Sequence, residues 1–203
     1  MLTRRFLLTS TAAAVAMFTL LRFAPAAFAQ SADQAKAFIQ ETANQLTGVV
    51  NGPAPQPQKR QDLTQVIDRT VDIEDIARFC LGRFWRIASP AQQKEYVDLF
   101  HRVLVVNITG KIGDYQGVTA SIGSASEREG NFAVSSIVTR PGNAPAKVDW
   151  VVSYSTGSPK IVDVIAEGTS LRITQRQDYA SYLSRNGNNV QALIDAMRRQ
   201  AAG

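Results

Sequence analysis

Beyond residue 30, hydrophobic positions recur along this chain in two periods, first 3.6 and then 2. Over residues 32–50, Phe38, Thr42, Leu46 and Val49 share one stripe, which predicts a first helix. The stripe breaks at "NGPAPQPQKRQ", where Pro53, Pro55 and Pro57 predict an extended connection. The stretch before it is too short to bury a core alone, so the connection reads as a loop inside one domain. "DLTQVIDRT" predicts a second short helix, and Asp72 the cap of a third. In that third helix Ile73, Ile76, Ala77, Cys80 and Phe84 recur at helical spacing.

The clearest local signal is "SPAQQKEYVDLF". Ser89 stands at the N-cap, Pro90 at the first helical position and Gln92 at the third, a capping box with its proline. The helix it opens carries Tyr96, Phe100, Val103 and Asn107, then Ile108 and Ile112, and is predicted to run to about Tyr115 before Gly117.

Beyond Gly117 the period becomes 2. "VTASIG", "NFAVSSIVTR", "AKVDWVVSYS" and "PKIVDVIAEG" read as four strands joined by the turn sequences "EGN", "PGNAP" and "TGSP". Such short joins predict an antiparallel meander. In the third strand Val148, Trp150, Val152 and Tyr154 point one way, and Asp149, Val151 and Ser153 the other. In the fourth, Val162, Val164 and Ala166 oppose Asp163, Ile165 and Glu167. The second strand admits two phases, Phe132, Val134 and Val138 against Ala133 and Ile137. Residues 170–185 and 188–199 predict two closing helices. Helices, four strands and helices again make an α+β domain, a four-stranded antiparallel sheet packed on one face by helices.

The chain begins "MLTRRFLLTSTAAAVAMFTLLRFAPAAFAQ": two arginines, an apolar stretch from Phe6 to Leu21, and Ala27-Phe28-Ala29 as a small-x-small cleavage site. This reads as a removable export signal over residues 1–29, with residues 30–203 as the mature domain. The run is short for a membrane span. "TRRFLL" and its modest hydrophobicity favour a twin-arginine signal over an ordinary secretory one. The mature protein is therefore expected in the periplasm. Of the 22 basic residues, Arg4, Arg5 and Arg22 lie in the signal and no acid does. The mature balance falls to 19 basic against 17 acidic, which does not ask for nucleic acid as a partner. Cys80 is the only cysteine, so an intramolecular disulfide is excluded, and its helical setting reads as a buried inert thiol.

Candidate chemistry is sparse. The single histidine, His101, has no cysteine or second histidine to complete a zinc site, and no G-x-S-x-G, Walker or dinucleotide glycine pattern occurs. Asp163 and Glu167 are the best enzymatic candidates. Four apart on a strand, they share a face at about 13 Å between Cα atoms. The simpler reading makes Asp163, Glu167 and Gly168 a structural corner between the last strand and the next helix. A small acid/base enzyme using Asp163, Glu167 or His101 on a cone-like α+β fold is kept as the alternative by fold analogy.

The segments "LGRFWRIASPAQQKEYVDLFHRVLVVNITGKIGDYQG" and "KVDWVVSYSTGSPKIVDVIAEGTSLRITQRQDYASYL" together resemble the MlaC, or toluene-tolerance, family of periplasmic phospholipid carriers. The matching features are Leu81-Gly82 with its aromatics, the Ser-Pro-Ala-Gln helix start, Tyr115-x-Gly117, Asp149 beside Trp150, and Asp163 leading into Ile165-Ala166-Glu167-Gly168. The resemblance spans residues 32–199 apart from the proline loop. It implies a non-enzymatic carrier with no cofactor, its cargo a diacyl phospholipid or, in one branch, a hopanoid. It also implies exchange with an inner-membrane ABC transporter bearing a lipid-binding ring protein, and with an outer-membrane lipoprotein complex. Two acyl chains of about 30 methylenes, at ~0.8 kcal/mol each, would cost roughly 24 kcal/mol to expose, so such a carrier must enclose them between sheet and helices. By alternation Val134, Val148, Trp150, Val152 and Val164 are assigned to the tail-facing side of the sheet. Cys80, Phe84, Phe100, Leu104 and Ile108 are assigned to it from the helices. The closing pair Arg198-Arg199 reads as cations at a helix C-terminus.

Overall fold

The computed structural model describes residues 24–202, with side chains from Ser31 onward. Residues 1–23 of the predicted export signal lie outside the described residues. Helix α1 spans Ala24–Asn51, so it starts within the last residues of that predicted signal and continues through the first predicted helix.

Helix α2 spans Gln56–Thr70, six residues earlier than its apolar pattern. The proline segment is therefore not extended throughout: Pro55 is the N-cap and Pro57 sits in the first turn. A proline there forfeits only an N–H that has no helical acceptor anyway. Helix α3, Ile73–Leu81, is capped by Asp72, whose side chain accepts from Asp75 N, and a 3-10 turn, Gly82–Arg86, follows. Helix α4, Pro90–Thr109, opens with the complete capping box of Ser89 and Gln92. It stops six residues short of the predicted end and gives way to a 3-10 turn at Ile112–Tyr115. Val103, Val105, Val106, Ile108 and Thr109 are all β-branched, and glycines follow at 110 and 113. The local helical preference is spent by then.

The sheet is antiparallel in sequential order: β1 (Thr119–Arg128), β2 (Asn131–Thr139), β3 (Ala146–Ser153), β4 (Lys160–Ala166) and a two-residue β5 (Thr169–Ser170). The fifth strand is additional to the four predicted. Glu167 and Gly168 both take positive φ, 48° and 80°, and Ala166 pairs with Thr169, so the two residues form a tight hairpin turn. Helices α5 (Leu171–Arg185) and α6 (Val190–Ala201) close the chain.

Three buried clusters hold these elements. A helical core joins α3, α4, α5 and α6 around Tyr96, Leu99, Phe100, Leu183, Ile194 and Met197. The salt bridge of Arg198 to Glu95 ties α6 to α4, while Asp195 holds the same guanidinium. A second core packs Ala35 and Ile39 of α1 on Phe132, Val134, Val152 and Ile161 of the sheet. This settles the phase of β2 on Phe132, Val134 and Val138. A register shift at Val151/Val152 pairs Ile161 with Val152. Ile161 therefore joins the α1-facing core, where simple alternation had placed Val162. A third, smaller core gathers Val50, Leu63, Ile112 and Val118. Beside it Lys59 is buried and donates to Val50 O at 2.7 Å, closing the C-terminal end of α1.

Candidate functional site

Two registers define the face of interest. Val134 pairs with Trp150 and Trp150 with Val164, while Ser136 pairs with Val148 and Val148 with Ala166. These side chains share one face of the sheet. That face is closed along β2 and across the row of Phe132, Val152 and Ile161, where Val134 and Val152 are fully buried under α1. Over the rest of β3 and β4 it is only half-covered, for Val148, Trp150, Val164 and Ala166 all retain partial exposure. The indole N–H of Trp150 donates to Ser136 Oγ at 2.9 Å, and Ser136 in turn donates to Val148 O at 3.0 Å. A polar serine buried on an apolar face thus spends its hydroxyl on fixing the tryptophan plane. Its position beside Val134 and Val138 in the alternation was the available sequence signal for this role.

The helix-side residues divide into two groups. Cys80, Phe84 and Phe100 lie in the helical core, which contains no sheet residue. They pack helix on helix, with Phe100 against Tyr96 and Tyr179, and so do not share a cluster with the sheet face. Cys80 is 1 % exposed, and burial pushes its thiol up to about 12. Leu104 and Ile108 are different. In the last two turns of α4, Val103 and Thr109 are buried, Leu104 and Val105 are half-covered, and Val106 and Ile108 are 37 % and 40 % exposed. An apolar helix end left this open resembles the half-covered sheet face in character. Neither is a finished core.

The acidic corner is built from three elements. Asp163 is 5 % exposed, and its carboxylate accepts from Val164 N (2.8 Å), Ser170 Oγ (2.6 Å) and Arg172 N (3.2 Å). Arg172 Nε lies 3.5 Å from the same carboxylate. Ser170 is itself the N-cap of α5, accepting from Ile173 N at 3.2 Å. Asp163 therefore orients the cap residue and neutralises the first arginine of α5. That guanidinium and Arg176 both stack on the Phe79 ring, at 4.5 and 4.9 Å. At Gly82, with φ of 58°, an added Cβ would meet the Arg176 guanidinium at 3.1 Å, so α3 ends close against α5. Glu167 serves a separate end: its carboxylate accepts from Lys147 N, and its own N–H donates to Lys147 O at 2.9 Å.

His101 does not meet Asp163. Its Nε2 lies 2.7 Å from Asp68 Oδ1 of α2, thirty-three residues away, a pairing no local pattern announces. The pair stands in an open cleft of about 750 Å³ lined by the end of α2, the middle of α4 and the β3–β4 turn. The three enzymatic candidates thus have three separate sets of partners. Among the described residues no group of three histidines, cysteines or carboxylates is disposed to hold a metal ion. Among them too, no helix is long and apolar enough to cross a membrane.

Comparison with known proteins agrees with this architecture. The model of a protein family described as MlaC protein matches residues 40–199. The toluene tolerance protein ttg2D of Pseudomonas putida is 24% identical over 172 residues, covering 81% of this chain and 80% of that protein. The phospholipid-binding protein of Ralstonia solanacearum, solved in complex with a phospholipid, superposes with a TM-score of 0.72 at 22% identity, over 83% of this chain and 97% of that one.

Proposed function

The chain belongs to the MlaC family, and from that membership we propose that it is a periplasmic carrier which holds the acyl chains of a phospholipid and shuttles the lipid between membrane complexes. The observation that carries the reading is the half-covered apolar face of Val148, Trp150, Val164 and Ala166. A water-filled groove against such a face is unfavourable, at about 25 cal/mol per Å² of apolar surface, and an acyl chain removes that cost. The phospholipid held by the structural neighbour supports the same cargo class. Leu104 and Ile108 of α4 are the helix-side candidates for tail contact. Val134 and Val152 supply the closed floor of the face.

In this reading the polar groups have structural work. Asp163 and Glu167 order the β4–α5 corner, and Trp150 is oriented by Ser136. The partners are an inner-membrane ABC transporter with a lipid-binding ring protein and an outer-membrane lipoprotein complex. Residues 1–29 are the export signal and 30–203 the working domain.

Photocrosslinking tests the assignment. With benzoylphenylalanine at position 148, 150 or 164, lipid extracted with the protein becomes covalently attached. With the same probe at Ser126, on the exposed face of β1, it does not. Equal labelling at all four positions would contradict the proposed binding face.

A further inference from the structure

Tyr154 closes the apolar face at the end of β3. Its carbonyl accepts from Gly157 N at 3.0 Å to form the β3–β4 turn. Its ring meets Phe132 edge-on, 5.9 Å between centroids, and packs against the core of Val152 and Ile161. The hydroxyl atom is buried and has no hydrogen-bond partner among the described residues. Burial also raises its pKa above the ordinary tyrosine value, so it stays a neutral O–H donor. Buried hydroxyls in native proteins are nearly always paired. Acyl chains cannot pair this one.

The position of Tyr154 narrows the acceptor. Immediately beyond it, Thr156, Ser158 and Lys160 line the open cleft, facing His101 and Arg102 of α4. The lining of the cleft includes Val71, which packs on the same core as the Tyr154 ring. The orphan hydroxyl thus stands at the end of β3, between the core row of Phe132, Val152 and Ile161 and the chain that enters the wall of the cleft at Thr156. A glycerolipid has the same order of chemistry: tails, ester carbonyls, then a wet headgroup. The ester carbonyl is the acceptor that lies among tails yet next to water.

We propose that the Tyr154 hydroxyl donates a hydrogen bond to an ester carbonyl of the carried glycerolipid, which sets the polar end of the lipid at the β3–β4 turn. The headgroup then lies in the cleft beside Lys160, His101 and Arg102, and the tails run toward Val148 and Ala166. This orientation rests on the carrier reading above.

The test is a competition. The mature protein is offered vesicles containing equal amounts of dipalmitoyl phosphatidylethanolamine and its di-O-hexadecyl ether analogue, which lacks both carbonyls. Native mass spectrometry reads the ratio of the two loaded species in wild type and in Tyr154→Phe. Loss of one neutral hydrogen bond predicts a change in that ratio of about fivefold, with the variant less selective for the ester. An unchanged ratio overturns the proposal. Loading of neither lipid by the wild type overturns the carrier reading itself. A second measurement needs no variant. A lipid carrying a nitroxide on its headgroup should broaden amide signals of Thr156, Ser158 and His101 more than those of Lys147 and Val148. Broadening centred on Lys147 and Val148 would reverse the orientation and sink the inference.

Discussion

Replacing Asp163 with asparagine isolates what the acidic corner does. The substitution keeps the size of the side chain and leaves one oxygen to accept from Val164 N and Arg172 N. It removes the charge that faces Ser170 Oγ at 2.6 Å and Arg172 Nε at 3.5 Å. A charge-assisted hydrogen bond is worth about 1.5–3 kcal/mol, and breaking a fully buried ion pair costs roughly 3–5 kcal/mol. Arg172 is 24% exposed and has Asp75 at 3.9 Å as a remaining counter-charge, which lowers the second figure. The expected loss is therefore about 2–4 kcal/mol. For a domain of this length that corresponds to a fall in melting temperature on the order of 10 °C. Thermal and urea unfolding of delipidated protein, followed by circular dichroism, measures it. Glu167→Gln is the control. Its turn is exposed, the amide oxygen can still accept from Lys147 N, and the loss should stay below about 1 kcal/mol. An Asp163→Asn protein melting within about 2 °C of wild type would refute the account of the corner. A stable Asp163→Asn protein that had lost a turnover activity would return the enzymatic alternative.

Other substitutions and conditions probe the remaining elements. Val164→Glu places a carboxylate on the half-covered face and should reduce co-purified lipid at least tenfold, read by lipid extraction, while the far-ultraviolet spectrum is retained. Ser89→Ala removes the cap of α4, a loss of about 1 kcal/mol in urea unfolding. Cys80 should resist thiol reagents in the native state at pH 8, because burial holds it protonated. The same shift, from 9.0 to about 12, fixes the sign of a pH effect. The raised pKa belongs to the folded state, so its contribution is complete below pH 9 and is lost as pH rises from 9 toward 12. Cys80→Ala should flatten that part of the stability profile; an unchanged alkaline slope would assign it to other groups.

The elements that could be read from residue order were those governed by local chemistry. The capping box needs only Ser89, Pro90 and Gln92, and it formed as written. Strand alternation placed Trp150 and Val164 on one face because pleat geometry is local. The errors arose where two local signals competed. Pro57 suggested a break, but the first turn of a helix has no need of its missing N–H. No period announces a two-residue strand: the corner at Glu167 and Gly168 is a hairpin turn that inserts a fifth strand before the helix. The bulge in β4 moved Ile161 onto the core face in place of Val162.

The shared face of the sheet was legible in the sequence, and the packing partners of the helices much less so. A helical period identifies the stripe that is buried but not the surface that buries it. Cys80, Phe84 and Phe100 satisfy the period, yet their neighbours are other helices. The Asp68–His101 pair and the unpaired Tyr154 hydroxyl depend on elements brought together from distant parts of the chain. Only the folded arrangement reveals either one.

The central claim, that this chain carries an ester-linked diacyl lipid, is tested most directly by native mass spectrometry. The protein should be expressed from its full-length gene and purified from a bacterial periplasm without detergent. The expected result is a stoichiometric adduct whose organic extract contains a diacyl glycerophospholipid. A protein that emerges lipid-free and refuses added phospholipid vesicles would contradict it.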